Sequence, residues 1–408
     1  MNFRHLRPLP LALALAAGAV LPASALAAHA LRLLPATSQD LVASQLATPT
    51  AKRMGVATLE RAPLHASWPL DANAALDAQP QPHQSQSREY WVDASASDLH
   101  DGVRLRVASA GALVRISPHA GNAAIRSDDV QLSIGGRRLD NAKAVHSAAD
   151  ADALHAAGMD VPQGSVILKL NAKTVGDVRV AVPTAQGGAL IHVYEPASNV
   201  TLSLTATRDS IVGGSPVGFR ASVEGATLDR IGGLVSAPDG SSQDVEFVRQ
   251  ADGSYLGQVT PDPAHAGGPG LWEMHAFGVT AGQDGIPRDV KTAFAVSLPV
   301  ARLDGRLSQA AVLGADGSLS VRIGVEASVA SRYALSGVLH GTGSDGRLHP
   351  VAMGQVAAWL EPGRGTLELR YDASSLSLGA PWEVRDLRLV NQADFSLQER
   401  RARALYLP

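Results

Sequence analysis

The 408 residues predict an all-β chain: three β-sandwich (Ig-like) domains in series after a signal peptide and a short N-terminal extension. Three observations predict it. Short apolar alternations of period two recur along most of the chain. Gly, Pro and Asp turn signals separate them, at roughly the ten-residue spacing of sandwich strands. Helical period is confined to two brief stretches. The boundaries read as a signal peptide over 1–27, an extension and linker over 28–89, a β-sandwich over 90–196, an Ig-like sandwich over 197–300 and a C-terminal sandwich over 301–408.

The N-terminus reads MNFRHLRPLPLALALAAGAVLPASALAAHA. Arg4 and Arg7 form a positive n-region. The apolar run Leu9 to Leu21 is too short for a bilayer span. Ala25-Leu26-Ala27 fits the small-x-small cleavage rule, with Ala23-Ser24-Ala25 as the alternative. Export to the periplasm or outside the cell is therefore expected, with no transmembrane segment in the mature chain.

In the extension, "TSQDLVASQLA" predicts a short helix capped by Ser38, with Leu41, Val42, Gln45 and Leu46 on one face. "RAPLHASWPL" predicts an edge strand, because Pro63 and Pro69 are tolerated only there. That strand is expected on the first β-domain. "DAQPQPHQSQSRE" (Asp77 to Glu89) has no apolar period and reads as linker or surface loop.

Residues 90–196 carry "GVRLRVAS", "GALVRISP" and "VQLSIGGRRL", the last with a Gly135-Gly136 hairpin turn. "HSAADADALHAAGM" predicts a helix with Ser147 as cap and Gly158 as stop. "GSVILKLNA", "VGDVRVAVP" and "GALIHVYEP" complete the set. In residues 197–300, "TLSLTAT" precedes "RDSIVGGSPVGFRASV". There the breaker Gly213-Gly214-Ser215-Pro216 feeds a strand alternating Val217, Phe219, Ala221 and Val223. With the strands that follow, about seven fall within about a hundred residues, the Ig-like count. Residues 301–408 continue with "GSLSVRIGVEA", a hairpin over "RYALSGVLHGTGSDGRLHPVAMGQVAAWL", then "GTLELRYDA", "WEVRDLRLVNQ" and "FSLQERRARALYLP".

Composition bounds the function. The formal charge is −3, and −5 without Arg4 and Arg7. Charge is spread without long runs, which argues against nucleic acid or a membrane surface as partner. The absence of Cys rules out disulfide stapling and a Cys-anchored lipoprotein, so apolar cores alone must hold the domains. Arg far outnumbers Lys, which fits a coding bias. Aromatics are few, which weakens the case for sugar stacking.

The runs "LVRISP", "YEPASNVTLSLTATRDSIVGGSPVGFRASV" and "SRYALSGVLHGTGSDGRLHPVAMGQVAAWLEPGRGTLELRYDASSL" followed by "PWEVRDLRLVNQ" resemble an uncharacterised family of exported gammaproteobacterial proteins. The family combines an N-terminal β-domain with Ig-like domains, and the likeness spans roughly residues 31–405. It implies architecture and location, and it brings no site residues because the family's function is unknown.

Chemical motifs are weak throughout. "GTGSDG" (Gly341 to Gly346) spells G-x-G-x-x-G, but "RLHPVAM" follows with no helical period, so it reads as a hairpin turn and not a phosphate cradle. No G-x-S-x-G and no H-E-x-x-H is present. Asp98, His100 and Asp101 cluster in "SDLHDG" without a nucleophile. His146, Asp150, Asp152 and His155 are the nearest approach to a metal set, and read as a solvated face. Asp93, Asp98, Asp101, Asp128 and Asp129 are the calcium candidates, and read as turn caps. Trp272 and Trp382 fall in phase with apolar neighbours and, with Trp68, Trp91 and Trp359, read as core or interdomain packing. "ERRAR" (Glu399 to Arg403) reads as a solvated strand face.

No catalytic residue, cofactor or metal is assigned. The expected role is non-catalytic: a binding or adhesion-type protein that presents loops and sheet edges to a protein or glycan partner in the cell envelope. Two alternatives stand beside it. One is an accessory or spacer protein for an exported enzyme. The other is a hydrolase whose site is assembled from distant residues around His100 and Asp101, or around His146, Asp152 and His155.

Overall fold

A computed structural model describes residues 29–408 apart from 38–39, 44, 48–58, 77–81, 267–269, 283–284 and 307–308. The segment expected to be a signal peptide and its expected cleavage sites lie outside the described residues, as do the predicted helix cap Ser38 and the first part of the expected linker. Strands make up 55% of the described residues and helices 7%, so the all-β class holds.

Three large apolar cores organise the described residues, each fed by period-two alternation. In the first domain one sheet runs Glu89–Ala94, Ala189–Tyr194, Leu113–Pro118, Val166–Leu170 and Val145–Asp150. The facing sheet runs Val103–Val107, Gly176–Ala181, Gln131–Ile134 and Arg137–Arg138. Inward residues such as Leu105, Val114, Ile116, Leu132, Val180 and Ile191 are fully buried between them. The Gly135-Gly136 turn joins the last two strands with both residues at positive φ, 56° and 78°, as a tight primed turn requires.

In the second domain Thr201–Ala206, Val217–Glu224 and Tyr255–Val259 form one sheet. The other runs Leu228–Ser236, Trp272–Thr280 and Pro287–Ser297, with Ser210–Val212 added in parallel. Ser242–Arg249 pairs with both sheets in its two halves. The Gly213–Pro216 breaker therefore does more than turn the chain. It carries it from the sheet holding Ser210–Val212 to the sheet holding Val217–Glu224. Gly214 sits at φ 82°, where a side chain would be strained. Phe219 then enters the core, fully buried, with its ring 5.6 Å from that of Phe294.

The third domain packs Leu319–Ala327 and Gly363–Tyr371 against the long strands Ser331–Thr342, Leu348–Leu360, Gly379–Asn391 and Ser396–Leu407. "GTGSDG" is the turn of its Ser331–Leu360 hairpin: the Gly343 amide donates to the Arg347 carbonyl and the Gly346 amide to Gly343.

Residues 28–89 depart from the expected extension and linker. His29–Leu31 pairs with Gln309–Leu313 at one edge of the third domain. Leu64–Pro69 is an edge strand, as its prolines require, but it lies on Leu348–Leu360 of the third domain and not on the first. Gln84–Ser87, read as loop, pairs with Thr201–Ala206 of the second domain. Leu41, expected on a helix face, instead makes an isolated antiparallel bridge to Arg400. The reason is common to all of these: the partner strand lies far away in sequence, and pairing with an open sheet edge outweighs local pattern. The chain thus visits the third domain, then the second, then the first, and returns through the second to the third.

Candidate binding face across the first two domains

Glu89–Ala94 meets Pro287–Ser297 through the pair Glu89 and Asp289, so one sheet continues from the first domain into the second. Alternation then puts every second residue of four neighbouring strands on one outer face. Leu190, His192 and Tyr194 stand there, beside Glu89, Trp91 and Asp93. Lys291 and Asp289 follow, and then Glu273, His275 and Phe277. Leu190, Tyr194 and Phe277 are exposed for apolar side chains, Phe277 at 45%.

The groups on this face hold one another. The Trp91 ring stacks on His192 at 5.2 Å and meets His275 edge-on at 5.5 Å. His275 in turn contacts the Phe277 ring. The Lys291 ammonium lies 5.7 Å from the Trp91 ring centre. His192 Nε2 is 2.8 Å from Glu89, Lys291 3.6 Å from Glu273, and His119 2.8 Å from Asp93. The Trp91 amide donates to the Asp289 carboxylate across the junction, at 2.7 Å. His275 Nε2 is buried and unbonded, 3.7 Å from that same carboxylate.

Behind the face the two domains are clamped by a charge pair. Glu195 and Arg288 side chains are both 0% exposed and 2.7 Å apart. The Arg288 guanidinium also donates to the Val200 and Pro287 carbonyls and to Ser198 Oγ. Glu195 also accepts the Ala108 and Ser109 amides. Every strong donor and acceptor of the pair is thus engaged, the condition under which a buried pair is tolerated. A face built over such a junction is held rigid across two domains.

The residues singled out from sequence serve local roles. Asp98 closes a capping box with Ser95 at the helix Ala96–Asp101, and the Ser95 hydroxyl holds its carboxyl below the usual carboxylate range. His100 Nε2 bonds the Ala185 carbonyl, and the Asp101 carbonyl accepts from Arg179. Asp93 pairs with His119. Asp128 and Asp129 lie in a 3-10 turn, where Asp129 accepts the Arg126 amide.

The helix expected to start at Ser147 starts at Ala151, with Asp150 as its cap. Val145–Asp150 is instead a strand on Val166–Leu170, so sheet pairing overrides the local cap signal. His155 bonds the Val161 carbonyl, while His146 and Asp152 are exposed. Among the described residues no three His, Asp or Glu converge to hold a metal.

Trp272 is buried in the second core, and Trp382 packs against the third. Trp359 carries Arg61 over its ring at 4.1 Å, and Trp68 is 41% exposed on its edge strand. "ERRAR" is not a solvated face: Glu399, Arg400 and Arg401 are buried. Leu34, Asp40 and Leu41 lie against them, with Arg401 donating to the Leu34 carbonyl, the Ala402 amide to Asp40, and Leu41 bridging to Arg400. Of this outer face, sequence reasoning singled out Trp91 and Asp93. The remaining signal was present in "ALIHVY" and "WEMHAFG", whose outward positions hold Leu, His, Tyr and Phe where small polar residues would be ordinary.

A model described as Domain of unknown function (DUF4785) N-terminal domain matches residues 55–195. The corresponding C-terminal domain model matches residues 301–408. A solved DUF4785 family protein from Legionella pneumophila is 19% identical, with TM-score 0.67 over 90% of this chain and 99% of that one. It shares the fold. A tetra-tandem repeat from the extending region of a large adhesion protein is 13% identical, covering 80% of this chain and 74% of that one, but its TM-score is 0.21. Salmonella alpha-2-macroglobulin reacted with methylamine is 10% identical, covering 89% of this chain and 24% of that one, with TM-score 0.18. Neither of these last two carries an argument. No curated protein matches the chain.

Proposed function

The chain belongs to the DUF4785 family through its N-terminal and C-terminal domains, and from that premise we propose an exported, non-catalytic binding protein that presents the composite face of its first two domains to a protein partner in the cell envelope. One observation carries the reading. Trp91, His192, His275, Phe277 and Lys291 stand together on a sheet made continuous across two domains and fixed from behind by a fully buried ion pair.

A preorganised aromatic cluster rimmed by both signs of charge is the composition of a protein-binding hot spot. Rigidity lowers the ordering cost of association. A glycan has less support, because sugar stacking needs open aromatic faces. His192 and Lys291 lie against the Trp91 ring, and Trp68 alone of the five tryptophans is exposed.

The test uses a photo-crosslinking residue in the full chain, in the organism that encodes it. Probes at Phe277 and Tyr194 should each give the same discrete protein adduct in an envelope fraction. Lys291→Glu should weaken it, and a probe at the exposed Lys173, on a first-domain loop outside the face, should not give it. Equal adducts at Lys173, or none at Phe277 and Tyr194, would sink the reading.

A further inference from the structure

A separate cleft of about 360 Å³ opens between the second and third domains, lined by Arg208, Asp209, Arg388, Arg400, Leu41 and Leu397 among others. Its charges are unusually placed. Arg388 and Arg400 are direct cross-strand partners, a position where like charges repel. A single carboxylate serves both: Asp386 accepts Arg388 Nε at 3.1 Å and Arg400 Nε at 3.0 Å, and its other oxygen lies 2.8 Å from Arg388 Nη2. Asp386 sits at φ 44°, in the left-handed region that Asp tolerates better than most residues.

Arg208 adds a third guanidinium from the second domain and spends one nitrogen on the Asp40 carbonyl. Arg400 is only 7% exposed, yet its Nη2 is buried with no hydrogen-bond partner. A buried guanidinium N–H left open is costly, and an anion seated in the cleft would remove that cost. Three guanidiniums stand against Asp386 and Asp209, leaving one positive charge to be met. That matches a monoanion better than a phosphate dianion. Leu41 and Leu397 supply apolar contact beside the guanidiniums.

We propose that this cleft binds a small organic carboxylate, with its head on Arg208, Arg388 and Arg400 and its apolar body on Leu41 and Leu397. The site is independent of the face on the first two domains.

Calorimetric titration of the full chain with hexanoate, hexanol and inorganic phosphate at fixed ionic strength tests it. Hexanoate should bind at one site and hexanol should not. Arg388→Ala should weaken hexanoate about 10-fold through loss of a charge-assisted fork. Its side chain is 45% exposed, so folding is not at stake. Asp209→Asn should tighten binding roughly 3-fold by removing a like charge. Arg400→Lys keeps the charge and loses the planar fork, and should weaken binding with an unchanged near-UV spectrum. The proposal is overturned if hexanoate fails to bind, if Arg388→Ala leaves its affinity unchanged, or if phosphate binds as tightly as hexanoate.

Discussion

Glu195 and Arg288 are each removed from solvent completely, and neither can lose the other cheaply. Arg288→Met leaves a buried carboxylate facing only two amides. The expected cost is about 3–5 kcal/mol of stability, read as a shift of the urea midpoint, while exposed Lys143→Met should change little. A second prediction rests on His340. Burial first, and then the neighbouring Arg385 guanidinium, push its imidazole down to about 4. The unfolded chain therefore takes up a proton between about pH 6.5 and pH 4 that the folded chain refuses. This contribution to stability is complete above pH 6.5 and is lost as pH falls toward 4. Between pH 7 and pH 5 the wild type should lose ~2 kcal/mol more than His340→Gln in paired urea titrations. Equal losses would show that His340 does not titrate this way. Single core residues such as Phe219 and Trp272 were legible in the sequence, because alternation alone places them. Glu399, Arg400 and Arg401 were not. Leu34, Asp40 and Leu41 lie against them, and nothing near "ERRAR" announces that cover.

Strands and turns follow local chemistry where their partners are near in sequence. The Gly135-Gly136 turn, the "GTGSDG" hairpin and the strand after Gly213–Pro216 were all legible for that reason. His29–Leu31, Leu64–Pro69 and Gln84–Ser87 are short, and each completes an edge built by residues more than a hundred positions later. Period-two reading over a few residues does not name a partner, so their domain stayed hidden. The outer face of the first two domains was hidden likewise: each strand shows its outward residues, but the junction of Glu89 with Asp289 decides that they lie side by side. These edges have a measurable consequence. A chain of residues 301–408 alone lacks Leu31 and Leu41, both buried in the whole protein. It also exposes Glu399 and Arg401. It should be less stable than the same domain in the full chain by roughly 3 kcal/mol or more, from the lost apolar burial alone. Amide exchange across Gln309–Leu313 and Leu348–Leu360 will report it: retained protection in the fragment would refute the prediction.

The whole molecule is three sandwiches threaded in nested order. The first domain is built from one continuous stretch, Glu89 to Tyr194, while the second takes one strand and the third two from the N-terminal segment. A fragment of residues 88–196 should therefore give dispersed, protected amide spectra on its own. In the full chain, the second and third domains should unfold in one calorimetric transition, because residues 29–87 belong to both. Separate transitions for those two would contradict the coupling. The all-β class was legible from strand number and spacing. The threading was not, since composition gives no long-range order.

The return path of the chain also decides where load travels. His29–Leu31 and Ser396–Leu407 both lie in the third domain. Tension drawn between residue 31 and residue 405 is borne inside that one sandwich. Residues 89–297, with the Trp91 face, lie outside that load path. Modules strung end to end would share every tug. Here those residues would keep their shape while the third domain alone gives way.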